Sequence, residues 1–132
     1  MPVAGLTTIK SHHGARETMD RLEAAVRARG MTVFARIDHA AGASAVGMPL
    51  KATEVLIFGN ARGGTPLMQS VPTIGIDLPL KALVWQDTSG ETWLSYNEPS
   101  WLAQRHGLSG AEATIGNLAA ALNALAKEAT AE

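Results

Sequence analysis

The sequence predicts an α+β (mixed α/β) fold in which two long helices pack on one sheet of about five strands. Three observations support this prediction. The chain opens with a strand–helix–strand pattern, a turn sequence joins two strand-like segments in its second half, and an apolar stripe of helical period closes it. A length of 132 residues fits a single domain, 1–132, with one hydrophobic core.

The strand–helix–strand pattern occupies the first 39 residues. Leu6–Lys10 is predicted as the first strand, Ala15–Arg29 as a helix and Met31–His39 as the second strand. Apolar residues recur every three or four positions in the helix, and Gly30 follows it as a stop signal. If the two strands are parallel, their crossover is expected to be right-handed.

The middle of the chain is rich in glycine and proline. Ala40–Gly47 consists of small residues and is predicted as either a short helix or a flexible loop. The apolar run Val55–Gly59 is typical of a strand buried on both faces. Thr65-Pro66 then predicts a helix start, with Thr65 as the N-cap and Pro66 as the first helical residue. This helix is expected to end by Val71, and a further helical turn is expected over Pro72–Asp77.

The last third predicts a hairpin and two helices. Leu80–Gln86 and Thr92–Tyr96 flank a four-residue turn, which indicates a β-hairpin; whether its two tryptophans face each other depends on the turn register. Ser100 can cap a short helix that runs to Gln104. Ser109–Glu112 has the pattern of a capping box and is predicted to open the last helix.

Composition and charge exclude several classes of protein. The chain has 11 Lys and Arg against 12 Asp and Glu, so it offers no basic excess for a nucleic-acid backbone. It has no cysteine, which excludes disulfides, thiolate catalysis and zinc sites built on cysteine. A net charge of −1 provides little repulsion between copies, which favours self-association.

The sequence also favours a soluble, cytoplasmic protein without membrane contact. The first ten residues, MPVAGLTTIK, lack the basic and apolar regions of a secretory signal. No apolar run approaches the roughly 20 residues that a bilayer requires.

The first candidate site is the glycine-rich connection that follows the strand Val55–Gly59. Backbone N–H groups at a helix start attract anions, and Gly63 and Gly64 permit close approach of a ligand to the backbone. Arg62 would add a charge there, and Thr65 a hydroxyl. The alternative is that these residues only make a tight strand-to-helix joint.

The second candidate is Asp38-His39, at the end of the second strand. A histidine there is suited to act as a general base or a metal ligand, although Asp38 would point to the opposite face and would not orient it. The alternative is a surface or hydrogen-bonded histidine. The four histidines show no metal-ligand spacing, so no metal site is predicted and no cofactor is identified.

The third candidate is Asp77, which lies between two apolar residues. A carboxylate in such a setting needs partners or has a raised pKa; the alternative is an acid that ends a helix by bonding nearby backbone N–H groups. Further polar candidates lie at strand ends: Lys81, Tyr96 and Asn97.

The segment 38–99 resembles the uncharacterised prokaryotic domain-of-unknown-function family 302. The resemblance rests on four runs in this order: IDHAAGA, EVLIFGNARGGTPLM, IDLPLKALVW and YNEP. It implies a compact mixed α/β domain that forms homodimers and has no established activity. It also implies signature positions at Asp38-His39, Phe58-Gly59-Asn60, Thr65-Pro66, Asp77-Leu78-Pro79 and Tyr96-Asn97. Ala61 departs from the family pattern, in which a proline often follows the asparagine.

Two functions of different classes fit these observations. The first is a homodimeric binding module for a small polar or anionic ligand, held by Asp38, His39, Asn60, Arg62, Gly63, Gly64, Thr65, Asp77, Tyr96 and Asn97. The second is a small enzyme that uses His39 and Asp77 as acid/base groups and the Gly63–Thr65 amides as an oxyanion site. An interaction role is a third possibility. The sequence identifies neither the ligand nor a reaction.

Overall fold

One five-stranded sheet organises the protein, whose computed structural model describes residues 2–132. The spatial order of the strands is β1-β5-β4-β3-β2, and every neighbouring pair is antiparallel. The strands are β1 (Leu6–Lys10), β2 (Thr32–Asp38), β3 (Thr53–Gly59), β4 (Leu80–Gln86) and β5 (Thr92–Asn97). The structure therefore confirms the predicted α+β fold and its single sheet of five strands.

Two long helices and three short ones accompany the sheet. They are α1 (Ala15–Ala28), α2 (His39–Ala45), α3 (Ala61–Ser70), α4 (Pro99–Arg105) and α5 (Glu112–Thr130), with a 3₁₀ turn at Pro72–Ile76. Of the two alternatives for the small-residue segment after β2, the structure shows the helix. The side chain of Asp38 caps it, because Oδ1 accepts a hydrogen bond of 2.9 Å from the N–H of Ala41.

The opening strand–helix–strand unit spans the whole sheet. Since four successive pairs are antiparallel, β1 and β2 run in the same direction, but they form the two opposite edges of the sheet. Helix α1 therefore crosses over three intervening strands. The unit is not a pair of adjacent parallel strands, and β1 instead pairs with β5.

The core lies between one face of the sheet and the two long helices; we call this the covered face. Alternate strand residues point into it, because successive side chains of a strand face opposite sides. Helix α1 contributes Met19, Leu22 and Val26, and α5 contributes Leu122 and Leu125. The sheet contributes Leu56, Phe58, Leu80, Ala82, Val84, Leu94 and Tyr96.

The opposite face of the sheet, the open face, is only partly shielded. It is formed by the other alternate residues, among them Val55, Leu83 and Ser95, which the strand registers place side by side. Val55 and Leu83 are half-buried, whereas the covered-face residues next to them are fully buried.

The β4–β5 hairpin forms as predicted and settles the position of its tryptophans. Trp85 and Trp93 are direct cross-strand partners on the open face, stacked with ring centroids 6.2 Å apart. Asp87 stabilises the turn, since its Oδ1 accepts bonds of 2.9 Å from two backbone N–H groups, those of Ser89 and Glu91. Its Oδ2 accepts a bond of 2.8 Å from Trp93 Nε1, and these bonds lower the pKa of Asp87.

Two predicted helix caps are wrong. Helix α5 begins at Glu112 with Ala111 at the N-cap and no side-chain cap bond, so Ser109 does not form a capping box. The reason is Gly110, whose φ of +78° turns the chain away from the helix between Ser109 and Glu112. Helix α4 begins at Pro99 with Glu98 at the N-cap, two residues earlier than a cap at Ser100 would place it, so Ser100 lies inside its first turn.

A charged cluster closes the covered face at the β2–β3 edge. Arg36 of β2 makes a bidentate pair with Glu54 of β3, at 2.6 and 3.1 Å. Its Nη1 also bonds Asp20 and Glu23 of α1, at 2.7 and 3.1 Å. These hydrogen bonds raise the pKa of Arg36 and join α1 to the sheet edge.

Candidate functional site

The joint between β3 and α3 shapes the first of the two cavities that predicted site residues line. Gly59 ends β3 with a φ of +153°, a conformation that other residues rarely adopt, and a Cβ there would lie 3.6 Å from Pro79. The chain then enters α3, which begins at Ala61 with Asn60 as the N-cap. The prediction that Thr65 caps this helix is wrong. Asn60 is an equally suitable cap five residues earlier, and Pro66 is accommodated inside the helix, where it cannot donate to the carbonyl of Arg62.

The earlier start of α3 changes the chemistry of the glycine-rich segment. Asn60 Oδ1 accepts a hydrogen bond of 2.7 Å from the N–H of Gly63. The N–H of Gly64 donates to the carbonyl of Asn60 at 3.2 Å. Two of the three amides predicted to hold an oxyanion, those of Gly63 and Gly64, are therefore already bonded at the start of the helix. The geometry does not support an anion site at Gly63–Thr65.

The cavity next to this joint, which we call the α3 pocket, is nevertheless substantial and has a volume of about 340 Å³. Asn60, Gly63, Gly64 and Thr65 line it as predicted, but Arg62 does not and is exposed. The rest of the lining is almost entirely apolar: Met31, Phe34, Gly59, Ala61, Met68, Leu78, Pro79, Leu80 and Leu118. Such a lining favours an apolar occupant over a small ion.

Two polar groups in the α3 pocket remain available to a ligand. Within residues 2–132, neither the hydroxyl of Thr65 nor the amide nitrogen of Asn60 makes a hydrogen bond. The pocket therefore combines apolar walls with a hydrogen-bond donor at its helix end.

The open face carries the second cavity, with a volume of about 510 Å³. It brings together three predicted strand-end residues, His39, Lys81 and Asn97. Tyr96 also borders it, but its pairing with Ala82 puts its side chain into the core. Burial raises the pKa of the Tyr96 hydroxyl, and the charge of Glu98 adds to this. The apolar part of the lining was not predicted: Leu6, Val55, Leu83 and Trp85.

Asp77 belongs to neither cavity. Its carboxylate bonds Arg105 Nη1 at 3.0 and 2.8 Å and His106 Nε2 at 2.5 Å. His106 in turn contacts the Thr73 hydroxyl through Nδ1, at 3.0 Å. This cluster joins the 3₁₀ turn to the end of α4. The alternative in which Asp77 bonds only nearby backbone groups is not what the structure shows.

Of the two outcomes predicted for the Asp77 carboxylate, partners or a raised pKa, the structure shows the partners. Burial raises the pKa of this carboxyl, because its side chain is only 14% exposed and that of His106 only 8%. The hydrogen bond from His106 and the charge of Arg105 outweigh burial, so the pKa of Asp77 lies below its ordinary value.

The structure separates the two groups that the enzyme hypothesis requires. His39 lines the open-face cavity, whereas both oxygens of Asp77 bond Arg105 and His106 at the end of α4. Sequence reasoning missed Arg105 and His106 because they lie 28 and 29 residues from Asp77, with no local pattern that links them. With the Gly63 and Gly64 amides also bonded, the acid/base arrangement with an oxyanion site is not assembled.

Together, these features define a class of protein: a two-layer α+β domain with an antiparallel sheet, an apolar pocket beside α3 and a half-open cavity on the opposite face. The sequence profile of the family described as Domain of unknown function DUF302 matches residues 7–125. The chain belongs to this family.

A solved structure agrees with this assignment. The fold is similar to the crystal structure of the uncharacterized conserved protein DUF302 from Bacillus stearothermophilus, with a TM-score of 0.85. The match covers 96% of this chain and 99% of that one, at 19% sequence identity. At this identity the likeness shows the shared fold alone.

Curated relatives are longer proteins. The chain is 52% identical over 105 residues to Fluoride-specific ion channel FluC 1 of Brucella suis and to FluC 2 of Brucella melitensis. The match covers 80% of this chain but only 41% and 39% of the two relatives, so the chain spans about two fifths of their length. Across residues 2–132, every helix is too short or too polar to cross a membrane.

Proposed function

We propose that this domain is a binding module and that its α3 pocket takes a small, mainly apolar molecule with one hydrogen-bond acceptor. The observation that carries the proposal is the lining of the pocket. Apolar side chains surround a volume of about 340 Å³, and Asn60 and Thr65, whose donors are unused, are among the lining residues. A cavity of this size with few polar groups is typical of small-molecule sites.

The rim of the α3 pocket also favours an apolar ligand. Phe34 is 56% exposed and Met68 is 36% exposed, although both line the pocket. A ligand that covers these side chains removes apolar surface from water, which stabilises the complex. Methionine side chains also adapt readily to the shape of a bound molecule. This ligand class replaces the anionic one that the sequence suggested for the same segment.

Binding of two matched probes tests the proposal. Acetophenone has an apolar body and a carbonyl acceptor, whereas ethylbenzene has a similar shape without the acceptor. We expect both probes to shift the methyl NMR signals of Met68 and Leu118, and acetophenone to bind several-fold more tightly, since one added hydrogen bond contributes about 1 kcal/mol. Unchanged methyl signals at millimolar probe would contradict the proposal.

Four variants identify the site and its donors. Gly64→Leu fills the pocket, because a Cβ at residue 64 already lies 3.6 Å from Met68 and 3.7 Å from Leu78. Gly116→Leu is the control, since a Cβ at this position of α5 meets nothing within 4 Å. Asn60→Asp keeps the helix cap but removes the amide donor, and Thr65→Val removes the hydroxyl. We expect Gly64→Leu to abolish binding, and the last two to remove only the preference for acetophenone.

We also propose that the chain forms a homodimer. Three exposed apolar side chains, Val46, Met48 and Leu50, follow α2 in one short segment, and the net charge of the chain is only −1. Sedimentation equilibrium of the double variant Met48→Gln, Leu50→Gln should show monomer where the native chain shows dimer. Ile76→Gln, which changes an exposed apolar residue outside this segment, is the control. A monomeric native chain would refute the dimer.

A second candidate function comes from the curated relatives: we propose that the chain acts together with a fluoride channel. The supporting observation is the 52% identity over 105 residues to proteins named fluoride-specific ion channels. The test compares fluoride efflux from liposomes that contain the Brucella suis relative, either intact or without the matched segment. We expect the shortened protein to lose flux and this chain, added in excess, to restore it. Equal flux with and without the segment would contradict this partnership.

A further inference from the structure

The open-face cavity is a second site of different chemistry. Lys81, Leu83 and Trp85 occupy alternate positions of β4, so their side chains point to the same face of the sheet. They span four residue steps, or about 13 Å at roughly 3.3 Å per residue. The cavity is therefore an elongated trough with an ammonium group at one end, an aliphatic floor in the middle and an indole at the other.

The charged end of this trough has no partner in the chain. Lys81 is half-buried, yet it makes no ion pair or hydrogen bond within the part of the chain that the structure describes. The side chains of Asn97 and His39, which also line the trough, likewise make no hydrogen bond among residues 2–132. The lining contains no carboxylate. The trough is thus complementary to a negative charge placed near Lys81 and Asn97.

Neighbouring side chains hold the indole at the aromatic end in place. The Trp85 indole donates a hydrogen bond of 2.9 Å from Nε1 to Ser95 Oγ, and its ring stacks on Trp93. Ser95 Oγ is held in turn by the Thr8 hydroxyl at 2.8 Å. A fixed indole next to the apolar side chain of Leu83 presents a flat surface that favours an aromatic ring over a flexible chain.

From this arrangement we infer that the open-face trough binds a small aromatic carboxylate. Its carboxylate lies at Lys81 and Asn97, and its ring lies over Leu83 against Trp85. This site does not depend on the α3 pocket, whose residues it does not share.

Two probes of equal shape test the charge requirement. 2-Naphthoate carries a carboxylate, and 2-naphthamide is its neutral counterpart. Their dissociation constants are measured by NMR titration of the native protein, following the indole N–H signals of Trp85 and Trp93. We expect naphthoate to bind about fivefold more tightly or better, since a charge pair on a half-exposed surface contributes an effect of this size. The preference should decrease as salt is added.

Matched lysine variants assign the preference to the trough. Lys81→Met keeps the aliphatic length and should make naphthoate and naphthamide equal in affinity. Lys51→Met removes one positive charge outside the trough and should leave the preference intact. Equal binding of the two probes to the native protein, no binding at millimolar probe, or an unchanged preference in Lys81→Met would each overturn the inference.

Discussion

The two faces of the sheet are made from the same five strands and yet differ in burial. On the covered face, Leu56, Phe58 and Leu94 are fully buried against α1 and α5. On the open face, Val55 of β3 and Leu83 of β4 point the other way and remain half-buried. The alternation of side chains along a strand thus separates the part of the molecule that stabilises the fold from a part that is available for binding.

Polar groups differ between the two faces in the same way. At the edge of the covered face, Arg36 bonds three carboxylates. On the open face, Lys81 has no partner among residues 2–132. Polar groups near a core must be paired because burial without a partner costs free energy, whereas a half-exposed ammonium keeps much of its hydration. An unpaired charge on the open face is therefore tolerated, and it is available to a ligand.

The largest expected effect is the loss of unfolding free energy when a leucine of the covered face is truncated, compared with a leucine of the open face. Leu94→Ala on the covered face should lower the free energy of unfolding by about 2–5 kcal/mol, because it leaves a cavity in the core. Leu83→Ala on the open face should cost about 1 kcal/mol, since the side chain is already partly hydrated. Urea unfolding of both variants checks this. Equal losses would mean that the open face is as well packed as the covered one, for example by a second copy of the chain.

The second-largest loss of unfolding free energy is expected at the charged edge of the covered face. Arg36→Met removes the bidentate pair and leaves Glu54 half-buried without its partner, so we expect a loss of about 1.5–3 kcal/mol. Lys10→Met is the matched control, because Lys10 pairs with Glu91 on the surface, away from the Arg36 cluster. Such an exposed pair contributes about 0.2–1 kcal/mol. Similar unfolding energies for the two variants would show that the edge cluster adds no more than a surface pair.

The Asp77 cluster, outside both faces, should contribute a smaller and pH-dependent amount. Asp77→Asn should cost about 1–2 kcal/mol at neutral pH through weaker bonds to Arg105 and His106. The pKa of Asp77 is lowered in the folded protein, so the unfolded chain binds its proton first as the pH falls. The contribution is therefore complete above the unfolded pKa, about 3.9, and is lost as the pH falls through the lower folded value.

Urea unfolding of the native protein and Asp77→Asn between pH 7 and pH 3 measures this dependence. The difference between them should shrink below about pH 4. Asp38→Asn is the control, since asparagine caps a helix as well as aspartate does. A difference that stays constant to pH 3 would show that the charge of Asp77 does not stabilise the fold.

Patterns within a single element predicted most of the fold. The helical period of α1, the apolar runs of β3 and β4 and the turn of the hairpin each depend on neighbouring residues, and each was placed to within a few residues. The order of the strands was not predictable in this way. The placement of β1 beside β5 depends on contacts between residues about 90 positions apart, such as Thr8 and Ser95.

The candidate sites were predictable only in part, for the same reason. The glycine-rich segment does line a cavity, but the N-cap of α3 is Asn60 rather than Thr65. Because the helix starts earlier, the Gly63 and Gly64 amides that an anion would need already make hydrogen bonds. The partners of Asp77 lie on α4 and leave no local signature. The trough is different: Lys81, Leu83 and Trp85 alternate along one strand, and period two alone places them on one face.

The smallest expected change in the free energy of unfolding is that of Lys81→Met. It tests the comparison of the two faces most directly, since the Lys81 side chain has no partner among residues 2–132. Lys81→Met should change the free energy of unfolding by less than about 0.5 kcal/mol, because no hydrogen bond or ion pair within residues 2–132 is lost. Leu83→Ala, two positions along the same strand, provides the scale for a packed open-face residue. If Lys81→Met instead cost more than Leu83→Ala, the ammonium would have a structural partner and the open face would resemble the covered one. If stability is unchanged while naphthoate binding is lost, the lysine serves a ligand and not the fold.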